Sequence, residues 1–357
     1  MTHRSTLAVF AHFDPGGRVA PHVDRYLAAL REAVDRIVIV STAELDDAAR
    51  AQLSAHGELV ERENTGYDFY SWKTGLDHAG DWDAFDRVLI CNDSVVGPTR
   101  PFAEILGKGA PKDVDFWGMT SSNEISPHVQ SWFVVFERPV ITSGLLHAFW
   151  RAMEPVSSRF DVIRRYEVGL SKLLLTGGLR MGSYLRLTPR AAITAELRHR
   201  VALERLPMKQ RPQRPGLVRS LREPTWNATY VLWDAVFDGR LPFVKLEVLR
   251  DDPYEIGKEK ALARLEEAFP AELAGVREYL ERTREEFRRL RGLEPVDPVR
   301  GIQAPAGARA GGGGTGDGDG DGDDGPDGGG GLPGDVSDDG RAVDGGETVA
   351  DQLAVSR

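Results

Sequence analysis

The chain has 357 residues, 45 Lys and Arg against 55 Asp and Glu, a formal net charge of −10 and one cysteine. The acidity is local: residues 301–357 hold 12 acidic and 3 basic side chains, so the preceding 300 are near neutral and give a polyanion such as nucleic acid no basic excess to bind. A single Cys91 excludes an internal disulfide and points to a reducing compartment. With no stretch near the roughly 20 apolar residues of a membrane span and a first apolar run too interrupted for a leader, a cytoplasmic protein is expected.

The first 120 residues alternate short β runs with helical patterns. "TLAVFAHF" is a strand that stops at Asp14-Pro15-Gly16-Gly17, and Val23, Tyr26, Leu27 and Leu30 mark one face of the helix after it. "RIVIVS" is a second strand, Glu44 to His56 a helix, "ELVER" a third strand, Tyr67 to His78 a helix and "DRVLICND" a fourth strand. Such alternation predicts a parallel sheet covered on both faces, with ligands at the carboxyl ends of the strands. "DVDFWGMTSS" and "HVQSWFVVFER" then read as two strands of mixed or antiparallel pairing. Pro139 to Met153 and Val162 to Thr176 read as helices. Arg198 to Arg222 is basic and proline-interrupted, "PTWNATYVLWDAVF" is helical and "PFVKLEVLR" short and buried. Leu273, Val276, Leu280, Thr283, Phe287 and Leu290 form the stripe of a long helix.

From about Gly301 the chain is dominated by glycine and aspartate and lacks the apolar surface to offset its chain entropy, so it should be disordered. Its "DGDGDG" opens like a calcium loop, but the twelfth position is Gly328 and supplies no bidentate glutamate. The expected organisation is an α/β domain over 1–195, a basic segment and helical extension over 196–300, and the tail over 301–357.

Chemistry concentrates between Arg62 and Phe102. Asn64 and Gly66 sit in a strand-to-helix turn, where a helix N-terminus offers N–H groups and a positive dipole end to a phosphate. The aromatic residues Tyr67, Phe69, Tyr70 and Trp72 have helical spacing, which is the spacing of core packing. Asn92-Asp93-Ser94 ends the fourth strand. A carboxylate there can hold a divalent cation against a diphosphate, because magnesium-like ions need only one or two protein carboxylates. Read by itself, "NDS" is ordinary helix-capping or turn chemistry.

"HFD", "RENTGYDFYSWKTGL", "CNDSVVGP", "DFWGMT", "HVQSWFVVF", "YEVGLS" and "PFVKLEVLR" occur in one order between about Val9 and about Pro253. In that order the chain resembles rhamnan synthesis protein F, a family of polysaccharide-building glycosyltransferases. The resemblance implies a GT-A-like, Rossmann-type sheet with mixed strands joined to an acceptor-binding half, and a C-terminal helical extension. It implies that His12, Phe13 and Asp14 lie near the donor's base and ribose, that Asn64, Asp68 and Asn92 flank the sugar-nucleotide, and that Asp93 holds Mg2+ or Mn2+. Such enzymes usually carry Asp-x-Asp where this chain keeps one carboxylate, which bears on metal use. His128 and Gln130 become donor or acceptor contacts, with His128 available to the metal; unaided, a strand histidine reads as structural. Glu167 becomes the general base that takes the acceptor's hydroxyl proton in an inverting transfer. By itself Glu167 is a helical glutamate within reach of Arg164 or Lys172.

The expectation is therefore an inverting glycosyltransferase moving L-rhamnose from a dTDP-sugar onto a cell-surface polysaccharide or its polyprenyl-diphosphate-linked precursor. The eight Lys and Arg from Arg198 to Arg222 would allow peripheral contact with the inner membrane leaflet, where each contributes about 1 kcal/mol, or would form a solvated loop. Two other classes stay open: a sugar-nucleotidyltransferase, for which no basic glycine-rich phosphate loop is found near the start, and a non-catalytic carbohydrate-binding scaffold of the same fold. Nucleotide-sugar binding with and without a divalent cation separates the scaffold from the transferase.

Overall fold

The computed structural model describes residues 4–205, 208 and 216–290; the tail after residue 300 lies outside them. Strands β1 (Thr6–His12), β2 (Arg36–Ser41), β3 (Glu58–Glu61) and β4 (Arg87–Asn92) alternate with helices α1 (Pro21–Arg31), α2 (Asp47–Ser54) and α3 (Tyr67–Ala79). After β4 come β5 (Val95–Val96), α4 (Phe102–Ile105), β6 (Phe116–Gly118), β7 (Ser121–Ser122), β8 (His128–Val129) and β9 (Phe133–Glu137). Short helices follow: α5 (Arg138–Thr142), α6 (Leu145–Arg151), α7 (Arg159–Asp161), a π-helical turn Val162–Val168, and α8 (Gly169–Thr176). The remainder is β10 (Met181–Ser183), α9 (Pro189–Arg205), α10 (Leu217–Arg222), α11 (Ala228–Val231), β11 (Val244–Lys245), α12 (Leu246–Arg250), α13 (Lys258–Ala268), α14 (Pro270–Leu273) and α15 (Val276–Leu290).

The central sheet has seven strands in the order β10-β6-β9-β4-β1-β2-β3. All neighbouring pairs are parallel except those made by β9, which runs against both β4 and β6. The fold is thus mixed α/β with a parallel-dominated sheet. From β1 the chain crosses over to β2, on the β3 side, while from β4 it moves to the β9 side. The carboxyl ends of β1 and β4 therefore flank a topological switch point, where open α/β sheets leave room for a ligand.

Alternation of side chains puts Ala8 and Phe10 of β1 in one core and Leu7, Val9 and Ala11 in the other. One core continues from Ala8 to Leu280, so the segment after residue 195 packs onto the same sheet. On the other face α3 lies unusually close: a Cβ on Gly75 would stand 2.3 Å from Val9 Cγ1 and 3.0 Å from Val40 Cγ2. Phe69 and Trp72 of α3 are buried there, which bears out packing for those two, while Tyr67 is 43% exposed.

Several expected elements are subdivided. The helix read over Pro139–Met153 is α5 and α6, interrupted at Gly144, whose φ of 76° is left-handed. Each of the two strands read from the middle of the chain splits into two, because β7 and β8 pair with one another outside the main sheet. The helix read from Val162 opens as a π turn, a geometry often retained at functional sites. "PFVKLEVLR" yields two strand residues and then the buried helix α12.

Candidate functional site

The first site element is the end of β1. His12 is buried and its Nδ1 shares a hydrogen bond with Ser41 Oγ at 3.0 Å, while its Nε2 has no partner among the described residues. Burial outweighs the nearby Asp14 charge and lowers its pKa to about 4, so it is neutral. Asp14 is 2% exposed and takes a bidentate contact from Arg282 of α15 at 3.0 and 2.6 Å, plus the Gly16 N–H at 2.8 Å. Phe13 meets the Phe287 ring at 6.2 Å, and Tyr279 packs edge-on against the buried His22. Helix α15 therefore covers Phe13 and Asp14, two of the three residues expected beside a nucleoside.

Across the switch point, Asp93 Oδ2 accepts the Phe13 N–H at 2.6 Å, which ties the end of β4 to that of β1. Burial first, and then the carboxylates of Asp68 and Asp14, push the Asp93 carboxyl up to about 8, against the Phe13 hydrogen bond. Three carboxylates thus act on one another at this end of the sheet, the electrostatic condition that a cation relieves. Among the described residues no three His, Cys, Asp or Glu side chains gather into a metal cage. A cation here would depend on Asp93 with phosphate oxygens and water, a donor set that suits Mg2+.

Helix α3 starts at Gly66, whose φ of 70° is followed by Tyr67 at 55°. Gly66 is the N-cap and has no side chain, so the first N–H groups of α3 receive no cap from that position. The turn is held instead by Arg62, which donates to the carbonyls of Glu63, Thr65 and Tyr67 at 2.8, 2.6 and 2.9 Å and to Ser71 Oγ at 2.8 Å. Asn64 stands exposed on this turn. One helical step on, Asp68 Oδ2 accepts from Asn92 Nδ2 at 2.7 Å, so two of the expected residues meet directly. Burial raises the Asp68 pKa, and the Asn92 bond opposes this.

Glu167, on the π turn, faces the β8–β9 junction. Its Oε2 accepts the Ser131 N–H at 2.7 Å and the Ser131 hydroxyl, and its Oε1 lies 3.5 Å from His128 Nε2. The other His128 nitrogen is 2.7 Å from the Ser126 carbonyl. Burial works against both charges, yet the pairing dominates: the Glu167 pKa is lowered and that of His128 raised. Glu167 pairs with neither Arg164 nor Lys172 but is an ionised carboxylate with one oxygen fixed and the other loosely held. Gln130 is buried, and its amide oxygen accepts the hydroxyls of Thr120 at 2.6 Å and Thr229 at 2.5 Å.

Two cations join these groups that sequence reasoning did not single out. Lys245, on β11, donates from Nζ to Ser94 Oγ at 2.7 Å, and Arg159 Nη1 lies 3.7 Å from Glu247. Burial draws the Lys245 pKa down to about 8, and the charges of Glu247, Arg159, Asp68 and Glu167 all reach it. The available signal was a lysine inside the apolar run "PFVKLEVLR", since lysine is seldom placed there without a task.

Residues 37–201 match the family model described as rhamnan synthesis protein F. The virulence protein VirA of Vibrio anguillarum is 27% identical over 201 residues, which cover 55% of this chain and 63% of VirA, so the chain spans less than two thirds of that relative. Among solved structures, 4-diphosphocytidyl-2C-methyl-D-erythritol synthase superposes on 55% of this chain and 99% of its own, at 18% identity and a TM-score of 0.32. Glucosyl-3-phosphoglycerate synthase from Mycobacterium tuberculosis, in complex with Mn2+ and UDP, covers 49% and 81%, at 10% identity and a TM-score of 0.29. "HFD" and "PFVKLEVLR" fall outside the matched segment. Over residues 37–201, the stretch that carries Asn64, Asp68, Asp93, His128 and Glu167, the chain matches the rhamnan synthesis protein F family.

Proposed function

We propose that the protein is a glycosyltransferase of polysaccharide synthesis, taking its sugar from a nucleoside diphosphate donor. The observation that carries this reading is the convergence of Asp68, Asn92 and Asp93 at the switch point with an ionised Glu167 whose charge reaches the same Lys245. A donor's diphosphate would lie at the ends of β1 and β4, beside the start of α3, where Asp93 would hold a divalent cation. The cation supplies positive charge to the leaving diphosphate. Glu167 Oε1 takes the proton of an acceptor hydroxyl, with Ser131 and His128 holding the carboxylate ionised and oriented. Inverting transfer and an L-rhamnose donor carried by dTDP are the finer parts of the proposal; they rest on the family match.

The acceptor proposed is a glycan or its polyprenyl-diphosphate-linked precursor. Exposed Ile193, Leu197 and Val201 repeat every four residues along α9, a face suited to peripheral contact with the inner leaflet. Three of the basic residues there are already paired, Arg198 with Asp234, Arg200 with Glu196 and Arg205 with Glu255. That contact therefore draws on the apolar row more than on those arginines.

The test is a thermal-shift series with dTDP-, UDP- and GDP-sugars, with and without Mg2+ or Mn2+, followed by transfer to a synthetic lipid-linked acceptor. A cognate donor raises the melting temperature, because it binds the folded state alone. Stabilisation by none of these donors would leave a glycan-binding scaffold as the better reading. Release of inorganic diphosphate from a nucleoside triphosphate and a sugar phosphate would favour a nucleotidyltransferase.

A further inference from the structure

Strand β11 pairs antiparallel with β5, with Lys245 opposite Val95. This delivers Lys245, from far along the chain, to the loop that ends β4. Its ammonium lies 5.8 Å from the centre of the Trp132 ring and donates to Ser94 Oγ. Ser94 donates in turn to Asn92 Oδ1 at 2.5 Å, and Asn92 Nδ2 donates to Asp68. The three bonds point the same way, from ammonium to carboxylate.

What Lys245 lacks is an adjacent counter-ion. Among the described residues no carboxylate stands within ion-pair distance of Nζ, although the side chain is half-buried. Desolvated ammonium groups are ordinarily paired, since water no longer offsets the charge. A second cation, Arg159, raises the local positive potential. Its contact with Glu247 is long, and Glu247 also holds the Tyr230 hydroxyl at 2.5 Å. Two cations thus border a site in which Asp93 is the one carboxylate proposed to hold a metal ion.

We propose that Lys245 and Arg159 form the seat of the donor's diphosphate, with Lys245 on the phosphoryl group bonded to the sugar. This deepens the glycosyltransferase reading and rests on it. As the acceptor oxygen bonds to the anomeric carbon, the bond from that carbon to the phosphate oxygen breaks and its electron pair passes to the diphosphate. The hydroxyl proton goes to Glu167. Lys245 stays protonated and neutralises the charge gained by the leaving group, which a preorganised donor does more strongly than water. The Trp132 ring lies 5.8 Å from Lys245 Nζ and steadies the ammonium by a cation–π contact.

The experiment is calorimetric titration of the full chain with dTDP, UDP and inorganic pyrophosphate at fixed Mg2+, for wild type, K245M, K245R and R159M. Melting curves of the same preparations accompany it. The expected result is a loss of about 10²-fold in diphosphate affinity for K245M and a smaller loss for R159M. K245R is expected within a few-fold of wild type, and melting temperatures unchanged. Were K245M unfolded, K245R and R159M would decide: a seat requires R159M to weaken pyrophosphate binding while K245R retains it. Wild-type affinity in both methionine variants overturns the seat and leaves the transferase reading standing. Absence of nucleotide and pyrophosphate binding by the wild type overturns both.

Discussion

Replacing Arg282 with methionine tests whether α15 is clamped to the end of β1. Asp14 is 2% exposed and the Arg282 side chain 29%, and the two share a bidentate contact at 3.0 and 2.6 Å. Removing one partner of a fully buried pair costs about 3–5 kcal/mol, because the remaining charge has lost its counter-ion. Two features lower that figure here. Arg282 is partly solvated, and the Gly16 N–H still reaches Asp14 Oδ1 at 2.8 Å, so about 2–3 kcal/mol is expected. The double variant D14N/R282M leaves no buried charge and should lose only about 1 kcal/mol, a non-additivity that identifies the pair. Urea unfolding of both single variants and the double variant measures this, with an unchanged denaturant slope as the check on two-state behaviour. An R282M loss under about 0.5 kcal/mol, or additive losses in the double variant, would refute the clamp.

Four further outcomes are expected. E167Q keeps the acceptor role toward Ser131 but cannot take a proton, so turnover should fall by about 10²–10⁴ with donor affinity unchanged; near-normal turnover would leave Glu167 a structural residue. D93N can still accept the Phe13 N–H and should fold, yet lose Mg2+-dependent donor binding; equal binding with metal would remove Asp93 from the cation site. His12 has a folded pKa of about 4 against an ordinary 6.5, so the unfolded chain protonates first. Its contribution is complete above about pH 6.5 and disappears as pH falls toward 4, near 2 kcal/mol lost by pH 5. Denaturant melts of H12N should show a flatter acid limb than wild type, and parallel limbs would contradict this. G66A brings a Cβ within 2.7 Å of Tyr70 Cβ at a left-handed residue, and should cost about 1–2 kcal/mol in thermal melts while weakening donor binding; a neutral result would show that this turn tolerates a side chain.

Burial patterns are local, and so β1 to β4 and the helices between them are legible in runs such as "TLAVFAHF" and "RIVIVS". The same applies to the switch point: strand–helix alternation puts His12, Asp68 and Asp93 at strand or helix ends without reference to anything distant. The near-neutral first 300 residues gave no reason to expect a nucleic-acid partner, and five of the seven family motifs lie in the segment that the family model matches. Elements with mixed surroundings were harder to read. Ser131 breaks the strand pattern because its N–H goes to Glu167, 36 residues away, and no local period records such a partner.

Tertiary structure decided what each charged side chain meets. The Ser131–Glu167 bond spans 36 residues, Lys245–Ser94 spans 151 and Arg282–Asp14 spans 268. A carboxylate's ionisation is set by the charges and donors within a few ångströms of it, and those neighbours are selected by β11 pairing with β5 and by α15 crossing the end of β1. The sequence by itself therefore determined which groups of β1, α3 and β4 stand at the carboxyl edge of the sheet. Long-range packing alone determined that Glu167 is an ionised partner of His128, that Asp14 answers to Arg282, and that Lys245 faces the site with no carboxylate beside it among the described residues.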